Sequence, residues 1–163
     1  MKDAIDEIKG FINEINFKNR PIHISYKFRT VYQVSRLVLI IGITSTVKGC
    51  SILKAQILSS ALDDERLFDQ IVWLVNNNSV GFIKAWKYNQ LVSTAINYSN
   101  ADQITSYSNT GKIILTEKGK NFFSEIMSDE ALLSYEKSQL GKIKKRLSDT
   151  RLLSILEKGR KND

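Results

Sequence analysis

A single cysteine, a single proline and a single histidine occur in 163 residues, and each scarcity removes a class of function. Cys50 alone forms no intrachain disulfide and no CxxC pair, which excludes a thiolate zinc site and fits a reducing cytoplasm. It reads as a small apolar residue tucked under a helix start. His23, with no second histidine, excludes a histidine-based metal cluster, and it lacks an evident catalytic partner. Long apolar runs are also missing. The longest, Leu37 to Ile43, has seven residues against the ~20 of a bilayer crossing, and it reads as part of a buried helix. The first fifteen residues carry charges every few positions and no leader-like apolar stretch. Phosphate-loop, dinucleotide, HExxH and GxSxG patterns do not occur, and "VKGCS" lacks the glycine spacing of the first. The acid pairs Asp63–Asp64 and Asp129–Glu130 fall at helix starts, where capping explains them better than two-metal chemistry. The chain therefore reads as a non-enzyme without cofactor or metal, in the cytoplasm and off the membrane.

What is present is an ordinary globular composition, 42% hydrophobic and 25% charged, on a chain long enough to bury a core. The net charge of +7 is unevenly placed. Residues 137 to 163 hold nine Lys/Arg against three acids, so this last sixth carries +6 of it. Such a segment attracts nucleic acid or an acidic protein surface.

Hydrophobic periodicity places a helix at 3–16 (Ile5, Ile8, Ile12, Ile15), then a connector around Pro21. A helix from about Lys27 to Ile43 is apolar almost all round and so belongs at the centre of a core. Ser51 is placed to cap a third helix, with Leu53, Ile57, Leu58 and Ala61 inward, and "DDE" at 63–65 starts a fourth. After a loop at 76–81, a helix covers about Lys87 to Tyr98, with Leu91, Ala95 and Tyr98 inward. A hairpin follows, with Ile104 and Tyr107 on one run, Ile113 and Leu115 on the other, and Asn109 and Gly111 in the turn. Thr116 caps a helix from Glu117 to Met127 that should bury Phe122, Phe123 and Ile126. Ser128, Asp129 and Glu130 open a helix reaching about Leu147, and a last one runs from about Thr150 to Lys158, burying Leu152, Leu153, Ile155 and Leu156.

Helices, a helix feeding a hairpin, then a capped helix is the layout of a winged helix. The expected fold is mostly α: a winged-helix-like core over 26–128 with one β-hairpin, preceded by an N-terminal helix and connector (1–25) and followed by a basic helical extension (129–163). The helix before the hairpin would be the recognition helix, offering Lys84, Lys87, Asn89, Gln90, Ser93, Thr94 and Asn97. Asn and Gln can read adenine edges and lysines can hold phosphate. Yet the wing has no Lys or Arg between Ser99 and Thr110, and winged helices also serve as protein docking modules. The candidate DNA- or partner-binding residues are Lys142, Lys144, Lys145, Arg146 and Arg151 in the extension, with Lys84 and Lys87. Trp73 and Trp86 read as core or interface anchors.

Four blocks carry a closer likeness: "YKFRTVYQVSRLVLIIGIT", "GCSILKAQILSSAL", "AWKYNQLVSTAINYSNADQI" and "TGKIILTEKGKNFF". In this order they resemble the middle component of three-component ABC-ATPase systems of the SMC-like, Lamassu-type anti-phage defence class. Gly111 to Gly119 matches the "G-x-I-x-L-T-x-K-G" closure of that group, and Leu91 to Ile96 matches its preceding helix. Ser60-Ala61-Leu62 stands where Trp-Ala-Leu is often found. The resemblance implies a non-catalytic adaptor between an SMC-like ATPase subunit and an effector subunit, often a nuclease, with double-stranded DNA reached through the complex. The alternative left by the residues themselves is a stand-alone winged-helix transcription regulator.

Overall fold

A computed structural model describes residues 25–77, 83 and 88–160, with side chains to 156. The described residues form seven α-helices and one two-stranded antiparallel hairpin, so the chain is mostly helical. The order is α1 (Thr30–Thr44), α2 (Ile52–Asp63), α3 (Glu65–Asn76), α4 (Gln90–Ala101), β1 (Thr105–Tyr107), β2 (Ile113–Leu115), α5 (Glu117–Ser128), α6 (Ser134–Ile143) and α7 (Asp149–Arg160). Short 3₁₀ turns precede α1 at Tyr26–Phe28 and follow α6 at Lys144–Arg146. The expected helix at 3–16, the connector at Pro21 and His23, and Lys84, Trp86 and Lys87 lie outside the described residues.

Helix α1 is the axis. It is buried continuously from Gln33 to Ile41, as its all-round apolar pattern requires, and it packs on α2, α4, α5, α6 and β2. Caps fix where its neighbours start. Ser51 Oγ accepts the Lys54 N–H at 3.1 Å and Asp64 Oδ1 accepts those of Arg66 and Leu67, each satisfying donors a helix start leaves open. Leu140, Ile143, Leu147, Leu152 and Ile155 of the C-terminal segment belong to the same buried cluster as α1.

The hairpin pairs Thr105 with Leu115 and Tyr107 with Ile113. Its turn closes by Gly111 N–H to the Ser108 carbonyl at 2.9 Å, with Gly111 at φ +71°, a left-handed position that glycine occupies without strain. A third rung comes from outside the two strands. Cys50 and Ile113 exchange both backbone hydrogen bonds at 2.8 Å, tying the wing to the segment between α1 and α2.

The "LTEKG" step has a specific structural cause. Thr116 Oγ1 accepts the Gly119 N–H at 3.1 Å, and its hydroxyl reaches the Gln103 and Ile104 carbonyls at 2.5 and 3.1 Å. One threonine thus caps α5 and ties that cap to the strand entry. The approach is so close that a Cβ on Gly119 would stand 2.0 Å from the Ile104 carbonyl oxygen. Only glycine fits there.

Four expectations are corrected. In α4, Ala95 is buried, but Leu91 is half-buried and Tyr98, expected inward, is exposed. Of Phe122, Phe123 and Ile126, only Ile126 is fully buried; the two phenylalanines are half-buried against the core, Phe123 lying over Gly42 of α1. Ser128 and Asp129 do not open a helix. Asp129 instead accepts from Ala131 and Leu132 in a local turn, and α6 begins only after Leu133, which sits at φ +53°. In α7, Leu152 and Ile155 are buried, Leu156 is half-buried and Leu153 is exposed.

These packing details predict opposite outcomes for two glycines. Gly119→Ala should destabilise the protein by about 2–3 kcal/mol, because backbone rather than a movable side chain is in the way. Gly141→Ala, in α6 with open space around it, should stabilise by about 0.5–1 kcal/mol through helix propensity. Urea unfolding of the two variants checks both signs.

Candidate functional site

The start of α4, the helix that feeds the wing, is clamped by a buried glutamine. Gln56 Oε1 accepts the Asn89 N–H at 2.9 Å, while its Nε2 donates to the Asn89 carbonyl and to Ser93 Oγ, both at 3.2 Å. Asn89 Oδ1 caps the helix by accepting from Leu91 N–H. Two of the polar side chains expected to be free for base reading, Asn89 and Ser93, are thus engaged within the protein. Gln90 and Asn97 are exposed and Thr94 is half-buried. The exit of α4 is equally built. Ser99 Oγ lies 2.7 Å from Thr105 Oγ1, and Thr105 Oγ1 donates to Asn100 Oδ1 at 2.6 Å.

No Lys or Arg occurs from Tyr88 to Gly111, the whole span of helix and wing tip. Three lysines border it: Lys112 is paired, its Nζ 2.6 Å from Asp149 Oδ2, Lys118 donates to the Asp102 carbonyl at 2.7 Å, and Lys48 lines a shallow groove with Tyr107. What this span exposes instead is aromatic: Tyr88 at 62%, Tyr98 at 53% and Tyr107 at 51% of their surface. Tyrosine among Asn, Ser and Thr, with Asp102 the one charged residue, is the composition of protein-recognition surfaces. Trp73 is likewise exposed on α3 and is not a core residue.

The five basic candidates in the extension divide. Lys142, Lys144 and Lys145 are exposed around the end of α6, and their ammonium groups enter no hydrogen bond or ion pair among the described residues. Arg146 folds back on the same helix end, its guanidinium donating to the carbonyls of Lys142 and Ile143. Arg151 donates to the Leu74 carbonyl at 2.7 Å, bridging α7 to the end of α3. Arg146 and Arg151 therefore have structural roles that sequence could not reveal.

Asp149 links three elements that sequence keeps far apart. Besides Lys112, its carboxylate accepts from Ser51 Oγ at 2.9 Å and Ser51 N–H at 3.3 Å. Burial pushes its acidity one way, but the Lys112 and Ser51 hydrogen bonds outweigh burial and hold its carboxyl below the usual carboxylate range. Burial pushes the Cys50 thiol up to about 11, so it is not a poised nucleophile. Burial also lowers the Lys54 ammonium, which donates to the Thr44 carbonyl at 2.6 Å and so closes the end of α1. A cleft of about 610 Å³ beside α1 holds Tyr26, Lys27, Tyr32, Asp63 and Glu136. Its acids are mostly engaged: Asp63 by Arg36 and Lys27, Glu136 by the Tyr32 hydroxyl. Among the described residues no three His, Cys, Asp or Glu side chains gather as metal ligands, and no helix is long and apolar enough to cross a membrane.

No protein family, curated protein or solved structure matches this chain.

Asp149→Asn should cost about 1–3 kcal/mol at pH 7, since a charge-assisted bond to Lys112 is lost while Ser51 keeps an acceptor. Because the folded carboxyl titrates below its unfolded value near ~3.9, the stabilisation is complete above about pH 5 and disappears as pH falls through the folded value. The gap between wild type and Asp149→Asn in urea titrations should therefore close in acid.

Proposed function

We propose that this chain is a non-catalytic docking subunit of a Lamassu-type defence complex, joining an SMC-like ATPase subunit to an effector subunit through its helix-and-wing face. The observation that carries the docking part is the cation-free, tyrosine-bearing span from Tyr88 to Gly111. DNA affinity comes mainly from neutralised phosphates, and the span from Tyr88 to Gly111 carries no cation of its own to neutralise them. Large, rigid, half-exposed tyrosines with polar neighbours are what a protein partner needs for anchoring. The identity of the partners rests on the likeness of the "TGKIILTEKG" closure and the helices before it to the middle components of such systems.

The reading is tested by co-expressing the full chain with the proteins encoded beside its gene and resolving the mixture by size exclusion. The expected result is one complex containing an SMC-like ATPase. The double variant Tyr98→Ala/Tyr107→Ala should lose assembly by about tenfold or more in affinity, as anchor residues do, while its urea midpoint stays near wild type because both side chains are half-exposed. A chain that elutes alone and binds one duplex sequence in preference to others would instead make it a stand-alone regulator.

A further inference from the structure

The turn at Lys144–Arg146 combines three features that a solvated helix end does not need. The first is backbone strain. Lys144 sits at φ +49°, ψ −142°, a region that glycine alone occupies cheaply. A lysine there costs stability that a glycine would not. The second is rigidity. Ile143 before the turn and Leu147 after it are both fully buried, as is Leu140 one helical turn earlier, so the cations cannot fold inward. The third is unspent charge. Cations at a helix C-terminus ordinarily answer the open carbonyls and the negative end of the dipole. Here Arg146 alone does so, donating to the Lys142 and Ile143 carbonyls. That leaves Lys142, Lys144 and Lys145 with no acidic partner among the described residues, and no acid occurs anywhere from Lys137 to Ser148.

The chemistry of the patch selects its ligand. No large hydrophobic side chain between Tyr135 and Leu153 is exposed, so the turn has none of the apolar anchors a protein interface is built around. Clustered ammonium groups without anchors or amide side chains to read bases suit one target, the phosphodiester backbone. The turn also stands beside the base of the wing, because Asp149, three residues past Arg146, holds Lys112 at the start of β2.

We infer that Lys142, Lys144 and Lys145 form a sequence-independent contact for the backbone of duplex DNA, distinct from the tyrosine-bearing face. This inference stands apart from the docking role, since it needs neither the ATPase nor the effector.

The strain at Lys144 supplies an unusually clean test. Lys144→Gly removes the cation and relieves the backbone together, so it should raise Tm while weakening DNA binding, and misfolding cannot explain the loss. Binding of the full chain to labelled duplexes of two unrelated sequences is followed by anisotropy across a salt series. Wild type should bind both alike, and Lys144→Gly should flatten the log–log salt slope by about 0.9. Lys142→Gln/Lys144→Gln/Lys145→Gln should flatten it by about 2.7 and lose about tenfold or more in affinity at low salt. The inference is overturned if wild type does not bind at about 50 mM salt, or if both variants keep the wild-type slope. It is also overturned if polyglutamate displaces the duplex as effectively as unlabelled duplex does, which would assign the turn to an acidic protein.

Discussion

Everything in this fold is arranged around the burial of one helix that cannot be entirely apolar. From Gln33 to Ile41 α1 is buried, yet it carries Arg36, only 1% exposed. A buried guanidinium is costly unless its charge is paired; here the charge is paired and two donors are used, while Nε has no partner among the described residues. Arg36 donates to Asp63 Oδ2 at 3.0 Å and to the Ser59 carbonyl, both at the end of α2, and lies over the Tyr32 ring at 5.9 Å. Tyr32 in turn donates to Glu136 Oε1 at 2.6 Å on α6, and burial followed by that bond raises its hydroxyl far above the ordinary tyrosine value, so the proton stays on the donor. Through two polar side chains, α1 thus fixes α2 on one side and α6 on another. The apolar contacts supply the bulk of the burial, and the polar ones decide which neighbour lies where.

The surface that results is divided by chemistry. The span from Tyr88 to Gly111 presents tyrosines and no cation of its own, and the turn after α6 presents cations and no exposed apolar side chain. A winged-helix layout suggests DNA reading by the first of these, and the distribution of charge points the other way. The same division accounts for the fate of individual basic residues. Lys112 and Arg151 are spent on holding elements together and Arg146 on closing its own helix end, whereas Lys142, Lys144 and Lys145 stay exposed, Lys144 on strained backbone.

The legible parts of the fold were those whose cause is local. Ser51, Asp64 and Thr116 announce helix starts because a cap needs only its own first turn, and Asn109 with Gly111 announces the hairpin for the same reason. Ser128 and Asp129 have the same local chemistry but use it for a turn, because α6 is placed by burying Leu140 and Ile143 rather than by its best cap. The pairs Arg36–Asp63 and Lys112–Asp149 and the Cys50–Ile113 rung join residues dozens of positions apart, and nothing in the intervening sequence marks them. At the candidate site the sequence shows where the cations are but not which of them are free. That depends on which carbonyls and carboxylates the fold brings within reach. Gly119 was visible as part of a motif, while its reason, a carbonyl where a Cβ would stand, was not.

The central claim is that the C-terminal segment is one cooperative unit with α1, so that the basic turn is a rigid platform rather than a tail. Native-state hydrogen exchange in low denaturant tests this directly. The amides of Leu140 to Ile143 should exchange at the same free energy as those of Leu37 to Ile41, within about 1 kcal/mol, and with the same denaturant dependence. Exchange of the α6 amides at a much lower free energy, independent of denaturant, would mean that the segment opens by itself and that α1 does not anchor it.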